Sequence, residues 1–282
     1  MVLLSPEEKI YIVHGVEHDV RVDGRSRIQF RPIEVETDVI PLAMGSSRVR
    51  IGNTDVTATA KANIFTPPAD RPAEGRMEVL VHFSGVGNPE FEGRTSEQMR
   101  DEYTHIFNKL YSAVRFNDWC IVEGVKCWKF NMDVAVMSLD GNLYDAVGLA
   151  IKAALATACV PSIQVQEKDE GEVDFALPDD PGDTWTPDVM DIPVFVTASK
   201  IGDYVVVDAT LREEQCASFS CISACTENGR ILFVTKVGGG SIHPTTMSVL
   251  LKKTSAVGAE VNGGLVKMLS AIRPDREVLG YL

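Results

Sequence analysis

Carboxylates at the end of a hydrophobic run are the first candidates for chemistry. The run 204–210 is typical of a strand, and Asp208, Glu213 and Glu214 come at or just after its end. Carboxylates in such a place can hold Mg²⁺ or act as a general acid. The chain carries 40 acidic and 27 basic residues, a formal charge of −13. An acidic turn on the surface of an acidic protein is therefore the alternative interpretation.

A glycine turn between a strand and a helix is the second candidate. Residues 126–136 alternate as a half-buried strand does, and Asp140-Gly141-Asn142 then turns the chain. Small and apolar residues at helical spacing follow from Ala146 to Leu155. The free backbone N–H groups at a helix start attract anions, so this corner predicts an anion site if nearby side chains support it.

Two further motifs are weaker candidates for a functional site. Residues 14–18 spell H-x-x-E-H, a pattern of some zinc enzymes. Gly15 and the position at the end of a short helix favour a solvated helix end, because zinc needs both histidines on one face and a third ligand. Gly238–Gly240 lacks the Lys-Ser/Thr of a phosphate-binding loop and predicts a plain connector. We therefore expect no metal ion and no cofactor.

Three arginines are the candidates for contact with RNA. Arg94 and Arg100 flank the start of a predicted helix, and Arg48 projects from a predicted strand. Arginine contacts phosphates in nucleic-acid complexes, although a surface arginine is more often in an ion pair. A chain with a charge of −13 binds nucleic acid poorly alone, so RNA binding needs a local basic patch or a basic partner.

The elements that must position these residues belong to a globular chain. With 282 residues, 45% of them hydrophobic, it can bury a sizeable core in one large or two medium domains. We expect a soluble intracellular protein, because no run has the length of a membrane span and no signal-peptide core is visible. The six cysteines lie in hydrophobic segments, which favours free thiols in a reducing compartment.

The periodicities predict an α+β fold with two structurally related halves. An antiparallel meander of strands (33–39, 49–51, 56–64, 77–83) precedes a helix at 95–116 and the strand–turn–helix described above. Four strand-like runs and a final helix of about 25 residues follow an acidic, proline-rich loop. The predicted parts are an N-terminal helix and lead-in (1–28), a first half (29–166), a linker (167–190) and a second half (191–282).

The order of several motifs resembles the RNase PH family, and within it the non-catalytic ring subunits of the eukaryotic RNA exosome. The resemblance covers about Ser5 to Ile272. The motifs are RVDGR (21–25), VETD (35–38), GSSRVRIGNTDV (45–56), PEFEGR (89–94), DGN (140–142) and VVVDATLREE (205–214). The resemblance implies an RNase PH-like fold of two βαβα-type halves with mixed or antiparallel sheets and packed helices.

The resemblance also implies partners. Subunits of this kind form a six-membered ring with other RNase PH-like subunits, and RNA threads the central channel. Cap proteins with S1 and KH domains sit on the ring, and a hydrolytic exoribonuclease associates with it. The implied role is in rRNA processing and mRNA turnover, in the nucleus, nucleolus and cytoplasm.

The phosphate-binding part of the family pattern is degenerate here. Active relatives degrade RNA by phosphorolysis and carry a hydroxyl residue and an arginine after the turn. Here Asn142 is followed by Leu143 and Tyr144, while Asp208 and Glu214 keep the positions of the family's acidic pair. Losing one clamp on a transferring group costs about 2–4 kcal/mol, so we expect no catalysis. The alternative is an active phosphorolytic 3′–5′ exoribonuclease that uses Asp208 and an arginine from elsewhere.

Overall fold

The computed structural model describes residues 4–85, 94–167, 173–178, 180 and 182–271. Its helices are α1 (Pro6–Glu17), α2 (Arg94–Tyr111), α3 (Leu143–Ala156), α4 (Leu211–Glu214) and α5 (Pro244–Ala271). The strands of the first half are β1 (Ile33–Thr37), β2 (Gly45–Ile51), β3 (Thr54–Phe65), β4 (Arg76–Phe83), β5 (Cys120–Val122) and β6 (Lys126–Ser138). The later strands are β7 (Val160–Pro161), β8 (Gln164–Glu167), β9 (Val173–Ala176), β10 (Thr184–Trp185), β11 (Val194–Ile201), β12 (Tyr204–Val207), β13 (Phe219–Cys225) and β14 (Ile231–Val237).

The first-half sheet corrects the predicted meander. Its strand order is β1-β2-β3-β6-β4, and β5 also pairs with β6. The strands β1, β2, β3 and β6 are antiparallel neighbours, but β4 runs parallel to β6, with Met77 opposite Phe130. Parallel neighbours need a crossover connection, and α2 supplies it between β4 and the β5–β6 hairpin. The alternation of residues 77–83 identified a strand but not its partner.

The second-half sheet is antiparallel, in the order β12-β11-β13-β14. Helix α5 packs on it through Leu250 and Thr254, which are fully buried. Gly258 allows a close approach, because a Cβ at that position would lie 2.5 Å from the Cβ of Cys225. The predicted final helix is confirmed, and it spans 28 residues.

Helix α3 lies between the two sheets and joins the halves. Every residue from Leu143 to Leu155 is buried, and the helix contacts β2, β3, β11 and α5. Small residues make this possible: a Cβ on Gly148 would lie 2.5 Å from the ring of Phe195 in β11. One hydrophobic cluster includes residues of both halves. The predicted α+β class with packed helices is confirmed.

The lead-in and the predicted linker both contain ordered contacts. Helix α1 places Val16 against Ile201 and Val206 of the second half. The segment predicted as a linker contains β9 and β10, which pair with the preceding strands: β9 is antiparallel to β8, and β10 is antiparallel to β7. Among the residues described, no helix is both long and apolar enough to cross a membrane.

Candidate functional site

The Asp140-Gly141-Asn142 turn is wedged against the second half. Gly141 and Asn142 have φ of 80° and 55°, in the left-handed region that favours glycine and tolerates asparagine. A Cβ on Gly141 would come within 2.6 Å of the Ala209 carbonyl oxygen. The Asn142 backbone N–H donates to Oε1 of Glu214 at 2.7 Å. The Glu214 carboxylate therefore already accepts the Asn142 backbone N–H that a bound anion would need.

The two residues after the turn form part of the core. Leu143 is 2% exposed and Tyr144 is 9% exposed. The Tyr144 ring lies 5.0 Å from that of Tyr103 and 5.6 Å from that of Phe107, both in α2. Burial raises the pKa of the Tyr144 hydroxyl, so it stays neutral. This corner therefore has an aromatic cluster at the position where the resemblance predicts a cation in active members of the family.

The carboxylate of Asp208 is fully buried and surrounded by donors. Its Oδ2 accepts from Arg25 Nη1 at 2.7 Å, from the Arg31 backbone N–H at 2.8 Å and from Arg31 Nε at 3.0 Å. Its Oδ1 accepts from Arg31 Nη2 at 2.8 Å and from Asn142 Nδ2 at 2.6 Å. Five donors on two oxygens leave little capacity for a substrate or an ion.

Asp208 is held in its ionised form. Burial alone would raise its pKa, but the hydrogen bonds and charge of Arg31, with a hydrogen bond from Asn142, outweigh burial and hold the pKa below its usual value. A general acid must carry a proton at working pH. This environment is therefore suited to a structural anion and not to a proton donor.

A second buried ion pair supports the first. Arg21 donates through Nε to Oε1 of Glu213 at 2.8 Å and through Nη2 to the Asp208 carbonyl oxygen at 2.7 Å. Both side chains are almost fully buried. Arg21, Arg25 and Arg31 were not predicted as members of this site. Their position in and after the RVDGR motif was visible, but Asp208 and Glu213 lie more than 170 residues away in the sequence.

Two further carboxylates near the turn behave differently. Burial raises the pKa of Glu214 to about 7 against the opposing hydrogen bond from Asn142. Burial also raises the pKa of Asp145 to about 7, although Asp145 accepts from the Thr197 N–H at 3.1 Å and the Thr197 hydroxyl at 2.7 Å. Asp145, which lies in an otherwise apolar helix start, was not predicted as a site residue. Acids from both halves thus lie around one turn.

The arginines predicted to contact RNA have carboxylate neighbours where their side chains are described. Arg48 donates through Nε to Asp55 at 2.9 Å, and Arg100 donates to Asp101 at 3.0 Å. The backbone of Arg94 begins α2, but its side chain is outside the described residues. None of these contacts involves the turn or Asp208, and the RNA contacts stay a prediction.

The weaker motifs have local explanations. The ring Nδ1 of His18 is hydrogen-bonded to the His14 carbonyl oxygen at 2.8 Å, just past the end of α1. Over the part of the chain that the structure describes, no group of His, Cys, Asp or Glu is arranged to hold a metal ion. Lys236 Nζ donates to the carbonyl oxygens of Gly238 and Gly239 at 2.8 and 2.7 Å. These glycines therefore direct carbonyl oxygens toward a cation, the opposite of a phosphate cradle.

Comparison with protein families identifies this arrangement. Residues 29–161 match domain 1 of the 3′ exoribonuclease family, RNase PH, and residues 191–255 match domain 2. The chain belongs to the RNase PH family. The predicted resemblance is therefore confirmed, and the two matches fall on the halves that α3 joins.

Relatives and solved structures agree with this assignment. An exosome complex component Rrp42 of Pyrococcus furiosus is 35% identical, over 82% of this chain and 82% of that protein. A Dictyostelium discoideum protein with an exosome RRP42 name is 27% identical, over 95% of this chain and 98% of its own length. A chain of the Archaeoglobus fulgidus exosome, solved with RNA bound to the active site, has a TM-score of 0.73 and 25% identity, covering 92% of this chain and 97% of its own. The RNase PH-like fold is confirmed.

Proposed function

We propose that the chain is a non-catalytic subunit of an RNA exosome ring, which supplies protein interfaces and part of the wall of the RNA channel. The observation that carries this proposal is the closed corner beside α3, where Tyr144 packs in an aromatic cluster and the ionised Asp208 is saturated by donors. The relatives named as exosome Rrp42 components support the ring.

Phosphorolysis makes two demands that this corner does not meet. The attacking phosphate needs a fixed cation, and each lost clamp on a transferring group typically costs about 2–4 kcal/mol of transition-state stabilisation. The leaving oxygen needs a proton, which an ionised Asp208 lacks. One defect concerns the attacking phosphate and the other the leaving oxygen of the same in-line displacement, so neither compensates the other. An RNase PH fold with both defects can still build a ring.

The sheet edges suggest how the ring assembles. The outer edge of β4 is covered by α2: Asn108 Oδ1 accepts from the Val79 N–H at 3.0 Å, and Thr104 Oγ1 accepts from the Val81 N–H at 3.1 Å. By contrast, β1 and β14 end their sheets, and within the described ranges no strand pairs with their outer sides. Exposed backbone groups of this kind pair readily with another strand. The proposed interfaces therefore use β1 and β14.

The remaining partners belong to the same proposal. An acidic chain with a charge of −13 complements basic ring or cap partners, such as proteins with S1 and KH domains. Arg94, Arg100 and Arg48 remain the proposed RNA contacts, and an associated hydrolytic exoribonuclease would supply the chemistry. Nuclear, nucleolar and cytoplasmic localisation stays a prediction, which imaging of the tagged protein in cells would check.

A phosphorolysis assay tests the proposal. RNA is incubated with phosphate and either the purified chain or the reconstituted ring, each with wild-type sequence or Asp208→Asn. We expect no phosphate-dependent release of nucleoside diphosphates from the chain alone, and no difference between rings that assemble to the same extent. Release by the chain alone that Asp208→Asn abolishes would overturn the proposal. Glu214→Gln serves as a second variant, since it keeps an acceptor for the Asn142 N–H and does not disturb the arginines.

A further inference from the structure

Two of the six free cysteines face each other across a strand pair. In the β5–β6 hairpin Cys120 is the direct antiparallel partner of Cys127. Directly opposite residues in such a pair have Cα atoms about 4.5–5.5 Å apart. A disulfide requires Cα atoms about 4.4–6.8 Å apart, so this pairing, which lies beside a register irregularity between Cys120 and Val122, is compatible with a disulfide.

Cys120 also influences the titration of its cross-strand neighbour Cys127. Burial raises the pKa of Cys127 to about 11, and a hydrogen bond with the Cys120 thiol raises it further in the same direction. Cys127 is fully buried, while Cys120 is half-buried and accessible to a small reagent. The Cys127 thiol also donates to the Pro72 carbonyl oxygen at 3.7 Å. That oxygen accepts from the Gly124 N–H at 2.9 Å as well, so it keeps a partner if the thiol is consumed.

Cys221 and Cys225 have no cysteine opposite them in their strand pairs with β11. Cys221 and Cys225 are four residues apart on one face of β13, which separates them by about 13 Å at the usual rise per residue of a strand. Across the ladders, Cys221 lies opposite Ala198, and Cys225 lies opposite Val194. Oxidation to a disulfide within the chain is therefore expected at one pair.

We propose that Cys120 and Cys127 form a reversible disulfide by exchange with a small-molecule disulfide such as oxidised glutathione. The Cys120 thiolate attacks one sulfur of oxidised glutathione, a bond forms between them, and one glutathione thiolate leaves. The Cys127 thiolate then attacks the Cys120 sulfur and displaces the second glutathione. Two protein thiols lose two electrons, oxidised glutathione gains them, and the two thiol protons end on the two released glutathione molecules.

The bond would join the two strands of the hairpin next to two buried tryptophans. Trp119 precedes Cys120 and stacks on Phe116 with ring centroids 4.0 Å apart, and Trp128 follows Cys127 in β6. This redox-sensitive bond is independent of the proposed ring function, because none of its residues lies in the corner beside α3.

Peptide mapping of the full-length chain tests this inference. The chain is equilibrated with oxidised or reduced glutathione, free thiols are alkylated, and the tryptic peptides are analysed by mass spectrometry. Trypsin cuts after Lys126 and so separates Cys120 from Cys127. We expect free thiols to fall from six to four, with the two peptides joined until dithiothreitol is added. Retention of six thiols, or a stable glutathione adduct on Cys120 beside a free Cys127, would overturn it.

Matched variants exclude a different pairing. Cys120→Ser removes the more accessible thiol and should abolish the joined peptide. Cys159→Ser removes another half-buried thiol and should leave the joined peptide unchanged, with free thiols falling from five to three. A chain carrying Cys120→Ser that still loses two thiols to an internal bond would contradict the assignment.

Discussion

Asp208 and Glu214 lie six residues apart at one turn, yet their environments shift their pKa values in opposite directions. Asp208 is fully buried and Glu214 is half-buried, and burial raises the pKa of a carboxylate. Arg25 and Arg31 donate directly to Asp208, and the charge and hydrogen bonds of Arg31 hold its pKa low. Glu214 accepts a backbone N–H instead, and burial prevails in raising its pKa to about 7. Charged donors and not position in the motif decide which acid is ionised.

Tyr144 offers the sharpest test at the scale of single residues. Tyr144→Arg places a cation among Tyr103 and Phe107, and burying a charge there costs several kcal/mol, of which the carboxylates of Glu102 and Glu214 offset only a part. Tyr144→Phe keeps the ring contacts and should change the free energy of unfolding by about 1 kcal/mol or less. Urea unfolding of both variants measures the difference. Equal stability of the two variants would show that this position is open enough to hold an anion-binding arginine.

At the scale of elements, the turn before α3 fixes the halves against each other. Gly141→Ala adds a Cβ to a residue with φ of 80° and within 2.6 Å of the Ala209 carbonyl oxygen. The positive φ and the close contact both disfavour an alanine at this position. We therefore expect the free energy of unfolding to fall by about 2 kcal/mol or more. Gly239→Ala is the control, because nothing lies within 4 Å of a Cβ there. Thermal unfolding should separate the two variants clearly, and similar melting temperatures would contradict the packing.

The covered edge of β4 makes a second prediction about elements. Asn108→Ala leaves the N–H and carbonyl oxygen of Val79 without the side-chain partner that each has now, at a cost of about 1–3 kcal/mol. It also uncovers a strand edge, so self-association should increase. His105→Ala, at an exposed position of α2, should do neither. Light scattering and chemical unfolding measure the two effects, and an unchanged monomer fraction would argue against a protective role of Asn108.

Local periodicity predicted most elements but not their long-range partners. Alternation located the long strands, and the helical spacing of apolar residues located α3 and α5. The parallel placement of β4 depends on a crossover that no local pattern encodes. Arg31 likewise meets Asp208 across 177 residues, so its role needed the folded chain. The prediction that Tyr144 replaces a cation rests on the family resemblance, whereas its aromatic neighbours come from α2 and needed the folded chain.

At the scale of the whole molecule, the halves share one core, and the acids around the turn lie in it or at its edge: Asp145 is buried and Glu214 is half-buried. Glu214 and Asp145 both have pKa values raised to about 7, whereas an unfolded chain ionises them near pH 4. The folded state therefore holds protons that the unfolded state releases. Stability from these groups is full below about pH 4 and is lost as pH rises through about 7. Asp208 has a lowered pKa, so its contribution to stability has the opposite dependence on pH. That contribution is lost in acid, as the pH falls through the pKa of the folded state.

The chain should thus be more stable at about pH 6 than at about pH 8, as measured by the midpoint of urea unfolding. Glu214→Gln removes one of the two titrating groups and keeps an acceptor for the Asn142 N–H, so it should reduce the difference. Glu7→Gln, in the exposed first turn of α1, should leave the difference unchanged. Stability that is the same at both pH values would mean that solvent reaches both acids.

The closed corner beside α3 also bears on how this sequence can evolve. A first mutation to arginine at Tyr144 places a charge in the aromatic cluster, and a first mutation that frees Asp208 must remove Arg25 or Arg31 from a buried network. Each of these single mutations lowers the stability of the protein before any new activity can be selected. Descendant lineages should therefore keep Tyr144, Arg25, Arg31 and Asp208 together or replace them together, a correlated inheritance that a broad set of descendant sequences would reveal.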